Sequence, residues 1–199
     1  MLAVILLATY NGERYLVKQL DSIFAQTHPH ILLIARDDCS SDTTYRILQD
    51  YQQRYSNQLI LIQSPANNQG PLRTFSDLLE YVFQRESELG LKDYCIAFCD
   101  QDDIWDKDKL RISIECLQSL RGIQRDSALL VHSDLIVIDE QEHTINSSLA
   151  EYQGIQPQRN HFAELIMHNT VTGCTALLTP ALARACVPIP EHAYMLDWW

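Results

Sequence analysis

Four apolar runs of strand length lack the alternation of a half-buried strand, and no other feature constrains this chain as much. They read Ala-Val-Ile-Leu-Leu-Ala at 3–8, Ile-Leu-Leu-Ile-Ala at 31–35, Leu-Ile-Leu-Ile at 59–62 and Tyr-Cys-Ile-Ala-Phe-Cys at 94–99. A strand with one face in water alternates apolar and polar residues. One that is apolar at every position has to be covered on both faces, as in a parallel sheet flanked by helices. The intervening segments supply the helices. Leu16, Leu20, Ile23 and Phe24 recur at helical spacing within 13–26, and Asp42 can cap a helix running to about residue 55. Leu72, Phe75, Leu79, Val82 and Phe83 mark a third helix, and Leu110, Ile114, Leu117 and Leu120 a fourth. Strand and helix in alternation predict βαβ units and the α/β class, with a mostly parallel central sheet. After residue 128 the rhythm changes. Short strands are expected at 128–131 and 135–138, and short helices at 161–168 and 180–185 around a strand at 171–178. The expectation is one domain over 1–199, a nucleotide-fold-like half at 1–125 and a mixed half at 126–199, with no linker between them.

Charge and composition remove several function classes. With 26 Asp plus Glu against 15 Lys plus Arg the formal net charge is −11, which repels a phosphate backbone and argues against nucleic-acid binding. No apolar run approaches the ~18–20 residues of a membrane span. The first residues are strand-length without a basic leader, so a cytoplasmic protein is expected, with a peripheral place at the inner membrane face compatible with that. The six cysteines form no Cys-x-x-Cys pair and read as buried reduced thiols. Neither a G-x-G-x-x-G fingerprint nor a P-loop is present.

Polar residues collect where three of the strands end. Ligands of open parallel sheets sit outside the carboxyl ends of the strands. There the sequence places Thr9, Tyr10 and Asn11, then Asp37 and Asp38, then Asp100, Gln101, Asp102 and Asp103. The first cluster also reads as a turn, and the second as a capped loop with Ser40, Ser41 and Asp42. The third is harder to explain structurally, because crowded carboxylates repel one another unless a cation joins them. A hard divalent ion, Mg2+ or Mn2+, takes oxygen ligands from one or two carboxylates and from substrate phosphates. Such an ion turns an acidic rim into a site for a nucleoside diphosphate. His132, Ser133 and Asp134 lie together without a nucleophile-elbow context and read as a hydrogen-bonding cluster.

The ordered set of motifs resembles the family 2 glycosyltransferases, the inverting class with a GT-A fold, and among them bacterial rhamnosyltransferase-like members. It comprises the run from Val4 to Gly12, Gln19 to Ile23 with Gln26 and Thr27, Asp37 to Asp42, Asp100 to Trp105, Thr172 to Cys174, and Asp197 to Trp199. The resemblance implies that Thr9, Tyr10 and Asn11 line the base and ribose and that Asp38 accepts a hydrogen bond from a pyrimidine. It further implies that Asp100 and Asp102 form a DxD pair, with Asp100 toward the ribose or sugar, Gln101 on the donor side, and Asp102 toward the metal. Asp197 would be the general base, with Thr172, Gly173, Trp198 and Trp199 on the acceptor side. The implied reaction moves a sugar from dTDP-rhamnose or a UDP-sugar to a glycan or lipid-linked acceptor, in polysaccharide or cell-wall glycan assembly.

Three departures from the family pattern accompany the resemblance. Leu196 stands where many relatives carry an acidic residue or His, and the chain ends two residues after Asp197, as expected of a catalytic core truncated at its C-terminus. Arg73 reads as a helix-surface arginine, the alternative being a cation near the diphosphate. Two other functions stay open: a catalytically impaired nucleotide-sugar-binding domain, and a haloacid-dehalogenase-type phosphatase. The latter wants an Asp nucleophile after the first strand, where this chain has Thr9, Tyr10 and Asn11.

Overall fold

The computed structural model describes residues 1–199 except 64, 65, 124–126, 157, 159, 160, 162, 164, 166–168, 191, 194 and 196–199. Its first half alternates strand and helix: β1 (Leu2–Thr9), α1 (Leu16–Phe24), β2 (Ile31–Asp37), α2 (Thr44–Arg54), β3 (Leu59–Ile62), α3 (Pro71–Gln84), β4 (Tyr94–Cys99) and α4 (Lys109–Ile123). Shorter pieces follow: β5 (Leu130–Val131), β6 (Val137–Ile138), β7 (Thr144–Asn146), α5 (Leu149–Gln153), a 3₁₀ turn (Gly173–Thr175), β8 (Leu177–Leu178) and α6 (Pro180–Ala185). The main sheet runs β3-β2-β1-β4-β8-β5. Its β1, β2, β3 and β4 strands are mutually parallel, and β8 lies antiparallel to both β4 and β5. The second half thus adds its two short strands to the edge of the first half's sheet, while β6 and β7 form a separate hairpin.

The non-alternating runs are explained by the two cores. Ala3, Ile5 and Leu7 of β1 pack with Leu16, Leu20 and Ile23 of α1 and Ile114 and Leu117 of α4 on one face. Val4 and Leu6 pack with Phe75, Leu78, Leu79 and Val82 of α3 on the other. Each of these large side chains contributes about 1.5–3 kcal/mol when taken from water, so β1 alone anchors both layers.

Several expectations are corrected by local hydrogen bonding. The strand expected at 171–178 shrinks to Leu177–Leu178, because the Thr172 carbonyl accepts both the Thr175 amide at 2.9 Å and the Thr175 hydroxyl at 2.6 Å, curling the chain into a turn. The first helix begins at Leu16 and not at 13, since the Gly12 carbonyl takes the amides of Tyr15 and Leu16. The helix expected at 161–168 falls largely outside the described residues. Cys95, Cys99 and Cys174 are buried as expected, but Cys39 and Cys116 are exposed.

Candidate active site

Register brings the polar clusters to one edge. Thr9 pairs with Asp37 across β1 and β2, and Leu7 with Cys99 across β1 and β4, so the segments after all three strands emerge side by side. The first two are stitched together. Thr9 is buried and donates its hydroxyl to Asp37 Oδ1 at 3.1 Å, while Asp37 also accepts the Ser40 hydroxyl at 2.5 Å and the Ser40 amide at 2.9 Å. Asn11 adopts φ 47°, which an asparagine tolerates, and its Oδ1 accepts the Ser41 amide at 2.9 Å. The turn and cap readings therefore both describe this rim, and they free Tyr10, which is 47% exposed, to present its ring.

Asp38 is only 3% exposed, and its carboxylate accepts the amides of Gln69 (2.9 Å) and Gly70 (2.7 Å) just before α3. An anion there suits a helix N-terminus. Its carboxylate is engaged by these protein amides at the place where the resemblance implied a pyrimidine. Nearby, Arg36 pairs with Asp77 and reaches Gln69 Oε1 at 3.2 Å, and Arg73 pairs with Asp77 at 2.9 Å.

The third cluster converges differently from the expected pair. Ligand-type atoms of Asp100, Asp103 and Cys174 all lie within 4.8 Å of one another; Asp102 stands outside this group and is exposed. Partial desolvation and the neighbouring Asp103 carboxylate raise the pKa of Asp102. Burial, then the charge of Asp103 and a hydrogen bond to it, push the Cys174 thiol far up, so it is neutral. Lys109, whose pKa burial lowers, donates to the Cys174 carbonyl at 2.6 Å and lies 3.8 Å from the centre of the Trp105 ring. Gln101 points the other way, toward the β1 loop: its Oε1 accepts the Tyr10 amide at 2.9 Å and its Nε2 donates to the Tyr10 carbonyl at 3.0 Å.

Beside Asp100 opens a cavity of about 680 Å³. Its lining includes Gln69, Gly70 and Arg73 from the start of α3, Phe75 and Phe98 from the core, and the Thr172, Gly173 and Cys174 segment before β8. Arg73, in the first turn of α3, is thus both a helix-surface residue and a cavity residue. Two carboxylates with a buried Asp103 Oδ2 that has no hydrogen-bond partner among the described residues fit a hard divalent cation, and the neutral thiol adds no competing charge. Asp197, Trp198 and Trp199 lie outside the described residues. Thr172 and Gly173 line the cavity.

Sequence reasoning missed the grip on the segment after Asp103. Gln26 donates to the Asp106 carbonyl at 2.7 Å and accepts the Leu110 amide at 3.0 Å; Ser22 accepts the Trp105 amide at 3.0 Å, and Thr27 donates to Asp108 Oδ1 at 2.8 Å. The signal was present: Ser22 and Gln26 are polar residues beside the buried Ile23 at the end of α1. His132, Ser133 and Asp134 form no triad either. Asp134 accepts the Ser148 hydroxyl at 2.5 Å, and that bond with the amides of Leu135 and Ala150 outweighs desolvation and holds its pKa low.

Comparison with known proteins places this geometry. A family model of Glycosyl transferase family 2 matches residues 4–182. The dTDP-rhamnosyl transferase RfbG of Shigella flexneri is 38% identical over 111 residues, covering 56% of this chain and 36% of that protein. The putative teichuronic acid biosynthesis glycosyltransferase TuaG of Bacillus subtilis is 32% identical over 114 residues, covering 57% and 41%. Among solved structures, S. aureus TarS 1–349 in complex with UDP matches with TM-score 0.67 and 18% identity, covering 99% of this chain and 52% of that one. The mannosyltransferase PcManGT from Pyrobaculum calidifontis, in complex with GDP-Man and Mn2+, matches with TM-score 0.63 and 15% identity, covering 96% and 48%. This chain matches about two fifths of the length of these two curated relatives and about half of these two structures. Since the family model covers residues 4–182, from β1 into α6, and the fold matches that of TarS, the chain belongs to glycosyl transferase family 2 and carries its GT-A fold.

Proposed function

We propose that this chain is the catalytic domain of a metal-dependent inverting glycosyltransferase that moves a sugar from dTDP-rhamnose or a UDP-sugar to a glycan or lipid-linked acceptor, in polysaccharide or cell-wall glycan synthesis. The observation that carries the reading is the convergence of Asp100 and Asp103 beside a cavity at the carboxyl edge of the sheet. RfbG's name specifies a dTDP-rhamnosyl transferase, and the TarS and PcManGT structures hold UDP and GDP-Man, which supports a nucleotide-sugar donor.

The chain's residues divide the work. Tyr10, with Asn11 shaping its loop, offers a ring to the base, and Asp38 holds the start of α3 so that Arg73 faces the diphosphate. Asp100 and Asp103 would hold Mg2+ or Mn2+, with Asp102 completing the acidic rim. When bound, the cation supplies the positive charge that lets this rim accept a diphosphate and offsets charge gathered on the leaving group. Asp197 would take the proton of the acceptor hydroxyl on the face opposite the leaving diphosphate, the geometry inversion demands. With Thr172 and Gly173, Trp198 and Trp199 would serve the acceptor, the two tryptophans as an aromatic floor for its sugar. No described helix is long and apolar enough to cross a membrane; a cytoplasmic site at the inner membrane face, where lipid-linked acceptors are met, belongs to the same proposal.

A donor screen with Asp197→Asn tests it. The chain is expected to turn over one of the named donors into product of inverted anomeric configuration, read by NMR, and Asp197→Asn to lose at least ~100-fold in rate with donor affinity kept. Equal loss of affinity and rate, or unchanged rate, would remove Asp197 as the base. Retained binding by a wild-type chain that transfers no sugar from any donor would favour the non-catalytic binding domain.

A further inference from the structure

We propose that Gln101 is a positioning residue: its carboxamide clamps the metal loop to the base loop, and Gly12 is a glycine because that clamp fills the space a side chain would need. The inference rests on the donor-site reading above. Gln101 bonds both backbone groups of Tyr10, accepting from its amide at 2.9 Å and donating to its carbonyl at 3.0 Å, as a neighbouring strand would. Its side chain is thereby oriented by protein on both sides of the carboxamide. A methyl built on Gly12 would lie 2.2 Å from Gln101 Oε1 and 2.6 Å from its Cδ.

Neither partner can step aside without loss. The Gly12 amide donates to the buried Thr44 hydroxyl at 2.8 Å, and its carbonyl takes the first amides of α1, so the backbone at 12 is fixed by two helices. Gly12 is not among the positive-φ glycines; in this turn the left-handed residue is Asn11. The requirement at 12 is therefore space. The consequence is a link between the two donor-binding loops. Tyr10 belongs to the segment after β1, and Gln101 sits between Asp100 and Asp103 in the segment after β4. Through Gln101, placing the base and placing the carboxylates become one event, with no need for the donor to order each loop separately.

A four-member cycle tests it: the wild-type chain, Gly12→Ala, Gln101→Ala and the double variant. Binding of UDP and of dTDP is measured by calorimetry with and without Mn2+, and Mn2+ alone is titrated by electron paramagnetic resonance. Each single variant is expected to lose about tenfold in nucleotide affinity with Mn2+ present, the scale of one to two backbone hydrogen bonds. The double is expected to lose no more than Gln101→Ala, because the shortened side chain leaves room for the methyl. The factor by which Mn2+ raises nucleotide affinity should fall in both singles, and by more than any loss of affinity for Mn2+ alone. A residue serving only stability would lower the melting temperature and leave that factor unchanged. Should Gly12→Ala fail to fold, recovery of folding in the double supports the clamp, and its absence overturns it. Additive losses, or an unchanged Mn2+ factor, overturn the clamp alone. A wild-type chain that binds neither nucleotide with Mn2+ overturns the donor site and the clamp with it.

Discussion

Asp100 and Asp103 stand three apart on a loop that brings their carboxylates near Cys174, while Asp102 stays outside that group. Spacing within the Asp-x-Asp triplet does not reveal this, since a loop without repeating dihedrals has no period from which to read direction. The two outer roles separate experimentally. Asp103→Asn is expected to weaken Mn2+ binding about tenfold or more, and Asp102→Asn to weaken it less. Asp102 has a second signature. Its pKa is raised, so the fold disfavours its charged form, a penalty present above the ordinary carboxylate pKa and absent well below it. Asp102→Asn should therefore raise the metal-free melting temperature near pH 7 and leave it unchanged near pH 3; a fall at neutral pH would contradict the desolvation of that carboxylate. Asp38 teaches the same lesson. Its place at a strand end was legible, but its use of the Gln69 and Gly70 amides depends on a loop about thirty residues away in sequence.

At the scale of elements, α1 and the segment that leaves it do more than cover the sheet. Leu16, Leu20 and Ile23 pack into the core, while Ser22 of α1 and Gln26 and Thr27 just past its end hold the chain between Trp105 and Leu110. Removing the Gln26 carboxamide strands the Leu110 amide and the Asp106 carbonyl, so Gln26→Ala is expected to cost about 2–3 kcal/mol in urea denaturation and to weaken Mn2+ binding as the loop loosens. A loss of stability with Mn2+ affinity unchanged would show that the loop is held from elsewhere. The four long strands and four long helices were legible because burial on both faces writes itself into a strand as unbroken apolar residues. The short elements were legible in part: α6 falls at the expected 180–185, and β5 and β6 lie within the expected 128–131 and 135–138. β7 has three residues, too few to establish a period, and the expected strand at 171–178 shrinks to Leu177–Leu178 because the Thr175 hydroxyl bond overrides what propensity suggests.

For the whole molecule, the proposed diphosphate-binding role is compatible with a net charge of −11 because a cation on the acidic rim would invert its local charge. The sheet gathers that rim by topology: parallel strands set side by side deliver three polar loops to one edge, and β8 with β5 brings the Thr172–Cys174 turn to face them. That much follows from strand order, which the motif sequence anticipates. The cavity walls do not, because Arg73 and Cys174 lie a hundred residues apart and meet only through the antiparallel return of β8. Calorimetric titration of the intact chain with UDP and dTDP, each with and without Mn2+, tests the central claim most directly. The account predicts binding of at least one nucleotide that strengthens about tenfold or more when Mn2+ is present, and that loses this gain in Asp100→Asn. Equal binding with and without the ion, or none in either condition, would contradict it.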